Sequence, residues 1–181
     1  MRKVFLVMAL AFIGLQGLAQ FSKGTLQATG LTCAMCSNAV NKALLQVPFV
    51  ESVRSDIKNS SFSIVFKKDA TINIDALKNA VEDAGFSVGS LKLTGNLEQV
   101  KVANDQHVQI GALHFHFLAI SEQSLNGETT ITVVDKNFIS PKQFKKYSAA
   151  TKMTCMQTGK AGSCCTNEGV APDTRIYHVT I

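Results

Sequence analysis

Two cysteines three residues apart, Cys33 and Cys36, stand in the stretch Gly30-Leu31-Thr32-Cys33-Ala34-Met35-Cys36. This Cys-x-x-Cys spacing brings two soft sulfur ligands within reach of one ion, and thiolates favour Cu(I), Zn(II) or Hg(II) over hard cations. Redox dithiols and halves of zinc sites use the same spacing, so the flanking residues must discriminate. Further thiols lie in the tail, where Met153-Thr154-Cys155-Met156 precedes Cys164-Cys165.

The two-thiol loop needs elements to hold it. Thr25 to Thr29 alternates in polarity as a half-buried strand does, and Val40, Ala43, Leu44 and Val47 form one apolar helical stripe after it. The thiols are therefore expected where a strand turns into a helix. There the first helical N–H groups lack intrahelical partners and the helix dipole is positive, so a thiolate is stabilised.

Gly30, Thr32, Cys33 and Cys36 match Gly-Met-Thr-Cys-x-x-Cys, and Asp83-Ala84-Gly85-Phe86 matches a second stretch ending in an aromatic residue. In these residues the chain, over about 23–90, resembles the heavy-metal-associated domain of copper chaperones, metal-pumping ATPases and periplasmic mercury-binding proteins. The resemblance implies a ferredoxin-like fold and metal binding by Cys33 and Cys36. Leu31 departs from the usual Met, which in the family supports the loop from the core, so Leu should serve with little loss. Phe86 is expected to be a core residue near the loop.

Composition frames the rest. Arg2 and Lys3, an apolar run from Val4 to Leu15, and small residues Gly17 and Ala19 read as a signal peptide over 1–19, with an exported, periplasmic product and no membrane span after its removal. Without Arg2 and Lys3 the formal charge falls from +5 to +3, and the basic residues are scattered, so nucleic acid is not an expected partner. Five cysteines is an odd number for an oxidising compartment, which points to metal binding, a reactive thiol or an intermolecular bridge.

Pattern alone predicts β-α-β-β-α-β over 23–90: a strand, a helix from Ser37 to Val47 stopped by Pro48, a hairpin through Val53 and Phe62 to Phe66, a helix capped by Asn73 and ended by Gly85, and a strand from Phe86 to Leu91. That order is the split βαβ arrangement. Residues 95–181 are expected to form a second, mostly-β domain, a barrel or sandwich with one short helix opened by Ser140-Pro141. Its predicted strands are Leu97 to Val102, Val108 to Leu118, Thr129 to Val134 and Arg175 to Ile181. Gly95-Asn96, Asn104-Asp105 and Asn126-Gly127 are the expected turns. The whole chain is thus an α+β protein of two domains.

His114 and His116 should share one strand face, either as paired metal ligands or, as alternation favours, on a solvated face opposite Leu113, Phe115 and Phe117. Cys155, Cys164 and Cys165 admit three readings: a second soft-metal site, a disulfide staple from Cys155 to Cys164 or Cys165, or added ligands for Cys33 and Cys36.

The expected function is soft-metal binding, with Cu(I) as the cargo the resemblance favours and Hg(II) or Zn(II) as alternatives. Transfer to another thiol-containing metal-handling protein, or sequestration, would follow. No Gly-x-Ser-x-Gly, His-Glu-x-x-His or phosphate-loop pattern argues for an enzyme. A thiol-disulfide oxidoreductase with Cys33 attacking and Cys36 resolving is the alternative of another class. A four-ligand zinc module is the third, and it would have to recruit the tail thiols.

Overall fold

Alternating apolar residues on successive segments assemble one eight-stranded sheet of order β2-β3-β1-β4-β7-β8-β6-β5 in a computed structural model that describes residues 20–166 and 168–181. The expected signal peptide lies outside those residues. The strands are β1 (Gln20–Thr29), β2 (Val50–Asp56), β3 (Ser61–Phe66), β4 (Ser87–Val102), β5 (Gln106–Ile110), β6 (Leu113–Phe117), β7 (Gln123–Val133) and β8 (Ile176–Thr180). Helices α1 (Ala34–Leu45) and α2 (Ile74–Asp83) connect the first four strands, giving the expected β-α-β-β-α-β order. Val40 and Leu44 of α1 and Ile74, Leu77 and Val81 of α2 are buried, as their spacing required. Asn73 caps α2 by accepting the Ala76 N–H at 3.2 Å, and Gly85 follows it with φ +89.

Residues 95–181 do not build a barrel or sandwich of their own. Strand β4 pairs with β1 along one edge and with β7 along the other, so the later strands extend the first sheet. Gly95-Asn96, expected to turn, is interior to β4: Gly95 faces Phe21 and Thr129, and Asn96 faces Gln20 and Glu128. Pairing on both edges overrides the local turn preference of these residues. Asn126-Gly127 likewise stays inside β7. It sits opposite a register shift between Leu97 and Val100, where the Asn126 side chain accepts the Gln99 N–H at 2.7 Å. One apolar core runs from Leu26 through Leu91, Leu93 and Ile131 to Phe115 and Val179.

The expected single strand from Val108 to Leu118 is instead a hairpin. β5 and β6 meet at Gly111-Ala112, where Gly111 takes φ +61, and the register pairs Ile110 with Leu113 and His107 with His116. Helix α3 (Pro141–Ser148) opens with Ser140 and Gln143 in a capping box, as Ser140-Pro141 suggested. Two further short helices, α4 (Cys155–Thr158) and α5 (Ser163–Thr166), carry the tail cysteines, so this half has three helices among the described residues rather than the one expected.

Arg175, at the entry to β8, joins the two halves. Its guanidinium donates to both Asp75 carboxylate oxygens on α2 at 2.8 and 3.1 Å, and to Asp135 Oδ2 at 3.0 Å. It also donates to the Gly159 and Ile176 carbonyls and lies 4.2 Å over the Tyr177 ring, whose hydroxyl donates to Asp75. Burial would raise the Asp75 carboxyl, but the hydrogen bonds and charge of Arg175 hold it below the ordinary carboxylate range. Such a carboxylate stabilises the fold above its unfolded pKa, and that stability is lost as pH falls through the lower, folded value. Arg175→Met should cost about 3 kcal/mol in urea unfolding at neutral pH, because Asp135 loses a buried partner. The difference between variant and parent should shrink in acid.

Candidate metal centre

The first candidate site begins where β1 ends. Gly30 takes φ +85, a left-handed turn open to glycine, and brings the chain beside the Phe86 ring. Leu31 and Phe86 are partly buried and pack against the core. Helix α1 starts earlier than its apolar stripe indicated, at Ala34 rather than Ser37. The reason is local: Cys33 is itself the N-cap, in extended conformation, and its sulfur accepts the Cys36 N–H at 3.3 Å. The sequence-visible stripe reports only the part of the helix that meets the core.

This capping sets the thiol geometry. Cys33 lies at the cap and Cys36 in the first turn, with their sulfurs 2.6 Å apart and the Thr32 hydroxyl 3.8 Å from Cys36 Sγ. The hydrogen bond with Cys33, followed by the Thr32 backbone, brings the Cys36 thiol down to about 7, so a large fraction is thiolate at neutral pH. Cys33 is exposed and Met35 is 83% exposed, so the loop faces solvent with a soft thioether next to its thiols. Among the described residues, no third Cys, His, Asp or Glu gathers with Cys33 and Cys36 as a ligand group. The tail thiols therefore do not complete this coordination, and the loop by itself does not make a four-ligand zinc site.

The tail cysteines gather elsewhere, on the far strands of the sheet. Cys155 on α4 and Cys165 on α5 are fully buried, all five thiols are free, and Cys164 Sγ lies 3.4 Å from Cys165 Sγ. Burial, reinforced by Cys165, pushes the Cys155 thiol far up; burial also raises Cys165. Burial works the same way on Cys164, but hydrogen bonds led by the Thr154 hydroxyl bring that thiol down to about 6.

The solvated-face reading of His116 is overturned. Strand β6 lies between β5 and β8, and the tail covers it, so His116 is fully buried and His114 partly buried. Its neighbour is not His114 but His107, whose ring stacks on it at 4.5 Å, and both rings reach Cys155. No sequence pattern marks His107; the turn residue Gly111, which sets the hairpin register, is the available signal. Burial, then His178 and His107, holds the His116 imidazole down to about 4, so the ring is neutral at physiological pH.

The heavy-metal-associated domain model matches residues 25–87 of the chain. The chain is similar to a probable copper-transporting ATPase of Arabidopsis thaliana, at 27% identity over 75 residues, 41% of this chain and 7% of the ATPase. It is similar to the copper chaperone CopZ of Staphylococcus aureus at 30% identity over 67 residues, 37% of this chain and 97% of the chaperone. It is similar to the periplasmic component of a mercuric transport protein from Salmonella typhi at 34% identity over 86 residues, 48% of this chain and 93% of that protein. The chain thus spans the small relatives almost completely and the ATPase only over a short segment. Gly30→Ala should cost roughly 1 kcal/mol in urea unfolding, because the strain of a left-handed alanine acts with no steric clash: its Cβ would meet Phe86 at an ordinary 3.8 Å.

Proposed function

Because the chain belongs, through residues 25–87, to the heavy-metal-associated domain family, we propose that it is an exported carrier that binds Cu(I) between Cys33 and Cys36 and passes it on. The observation that carries the reading is the exposed, self-capped pair of thiols at the start of α1. Two soft donors with solvent on one side suit an ion that prefers low coordination and thiolate sulfur. An incoming thiol pair can approach from the exposed side and replace Cys33 and Cys36 one ligand at a time, so the partner is another thiol-bearing metal-handling protein. The bound metal is cargo.

Hg(II) is the alternative cargo, supported by likeness to a mercuric transport component that its name places in the periplasm. Export rests on that likeness and on the apolar N-terminus; among the described residues no helix is long and apolar enough to cross a membrane. The close approach of the two sulfurs and the lowered Cys36 thiol favour one second reading, a thiol-disulfide oxidoreductase. Turnover of insulin by the purified protein, lost with Cys33→Ser, would support it over metal carriage.

The deciding experiment is an anaerobic Cu(I) titration of the reduced protein against a competing chelator, beside a Cys33→Ser/Cys36→Ser variant. The variant should bind one tight equivalent fewer than the parent while keeping its circular dichroism. Equal binding by both proteins would sink the reading. Leu31→Met should change the affinity less than about threefold, since it is a near volume-conserving swap at a supporting position.

A further inference from the structure

Three imidazoles form one cross-strand row on the later half of the sheet. His107 of β5 faces His116 of β6, and His116 faces His178 of β8, so the three side chains share one face. Each has its own carboxylate. His107 Nδ1 lies 2.7 Å from Glu168, His116 Nε2 lies 2.9 Å from Asp105, and His178 Nδ1 lies 2.6 Å from Asp135. A carboxylate can only accept, so a ring in its neutral form donates from the nitrogen facing it and keeps a lone pair on the other. Histidines that ligate metals are oriented in this way, with the outer nitrogen held by a carboxylate.

Two of these free nitrogens point to sulfur. His107 Nε2 lies 3.6 Å and His116 Nδ1 3.7 Å from Cys155 Sγ. Zinc–sulfur and zinc–nitrogen bonds of ordinary length at a tetrahedral angle place N and S about 3.6 Å apart, so these separations already match two edges of a tetrahedron. Cys155 is also the hub of a second group, in which the sulfurs of Cys155, Cys164 and Cys165 all lie within 4.8 Å of one another. Cys165 is the buried member beside it, while Cys164 is turned to the Thr154 hydroxyl at 3.4 Å. In the same row, His178 Nε2 is buried and finds no hydrogen-bond partner among the described residues.

We propose that His107, His116 and Cys155 form the core of a second, buried metal site, with Cys165 of the adjoining thiol group turning in as the fourth ligand, a Cys2His2 set for a borderline divalent cation of the Zn(II) class. The mixed imidazole and thiolate donors suit that class, whereas the exposed loop offers sulfur alone. The site is closed: Ala161, Val170 and Ile176 pack around Cys155 and Cys165, so an ion there is retained rather than exchanged. Binding would pin α4 and α5 to strands β5 and β6, and so hold the covering layer of this half in place. This inference is independent of the reading of Cys33 and Cys36.

The test uses the full chain with Cys33→Ser/Cys36→Ser, reduced and anaerobic, titrated with Co(II) alone. One equivalent should give the intense visible absorption of a tetrahedral ion together with thiolate charge-transfer bands, and one equivalent of Zn(II) should bleach both. Adding Cys155→Ser should abolish the spectrum. Cys165→Ser should halve the charge-transfer intensity or abolish binding, and Cys164→Ser should leave the spectrum in place. Absence of tetrahedral absorption in the parent double variant, a spectrum that survives Cys155→Ser, or tight binding of Cu(I) with none of Co(II) or Zn(II) would each overturn the assignment. The first of these outcomes needs no further substitution, so it stands even where a tail variant fails to fold.

Discussion

Pairing along both edges of β4 is the constraint on which the molecule depends. Residues Gln20 to Thr29 occupy one edge of this strand and Gln123 to Val133 the other, so the two-thiol half and the histidine-bearing half share a hydrogen-bonded ladder. The apolar residues of β4 also alternate into a core common to both, with Leu91, Leu93 and Leu97 fully buried. Arg175 adds a polar tie across the same junction by bridging Asp75 on α2 to Asp135 beyond β7. Sheet pairing supplies the register and the arginine holds the covering elements in it. The position of each thiol follows from that frame.

The frame separates the two thiol groups. Cys33 follows β1, while the histidine row spans β5, β6 and β8, with β4 and β7 between. From β1 to β6 is four strand spacings, roughly 19 Å across the sheet. Sulfurs that could have pooled around one ion are therefore kept apart, and each group takes its character from local burial. The loop sits at a helix start open to water; the tail thiols sit on two short helices, with Cys155 against the imidazoles of His107 and His116.

What could be read from the chain followed the range of the interactions concerned. The loop is local: Gly30, Thr32, Cys33 and Cys36 lie within seven residues, and their geometry is fixed by one turn and one cap. The α2 cap at Asn73 and the box at Ser140 are equally local, and both were legible. Gly95-Asn96 reads as a turn but lies within a strand, because a turn dipeptide carries no sign of the two strands that flank it. The burial of His116 escapes the pattern for the same reason: alternation assigns a residue to a face but does not say what covers that face. Only the register set at Gly111, joined to the parallel pairing with β8, brings residues 107, 116 and 178 into line.

Exposure then decides what each group of thiols can do with an ion. Ligand exchange between thiol proteins proceeds by attack of an incoming thiolate, so it needs an open side on the ion and donors free to leave. The exposed loop meets both conditions, because Cys33 is accessible and Cys36 is held only lightly, by Cys33 itself and by the Thr32 hydroxyl 3.8 Å from its sulfur. The histidine row meets neither. Each of its rings is held from behind by a carboxylate, and Cys155 and His116 are fully buried, so release of an ion there would require α4 and α5 to lift from the sheet. One sheet thus supports two opposite arrangements of the same donor chemistry, one suited to passing a soft ion on and one suited to keeping an ion in place.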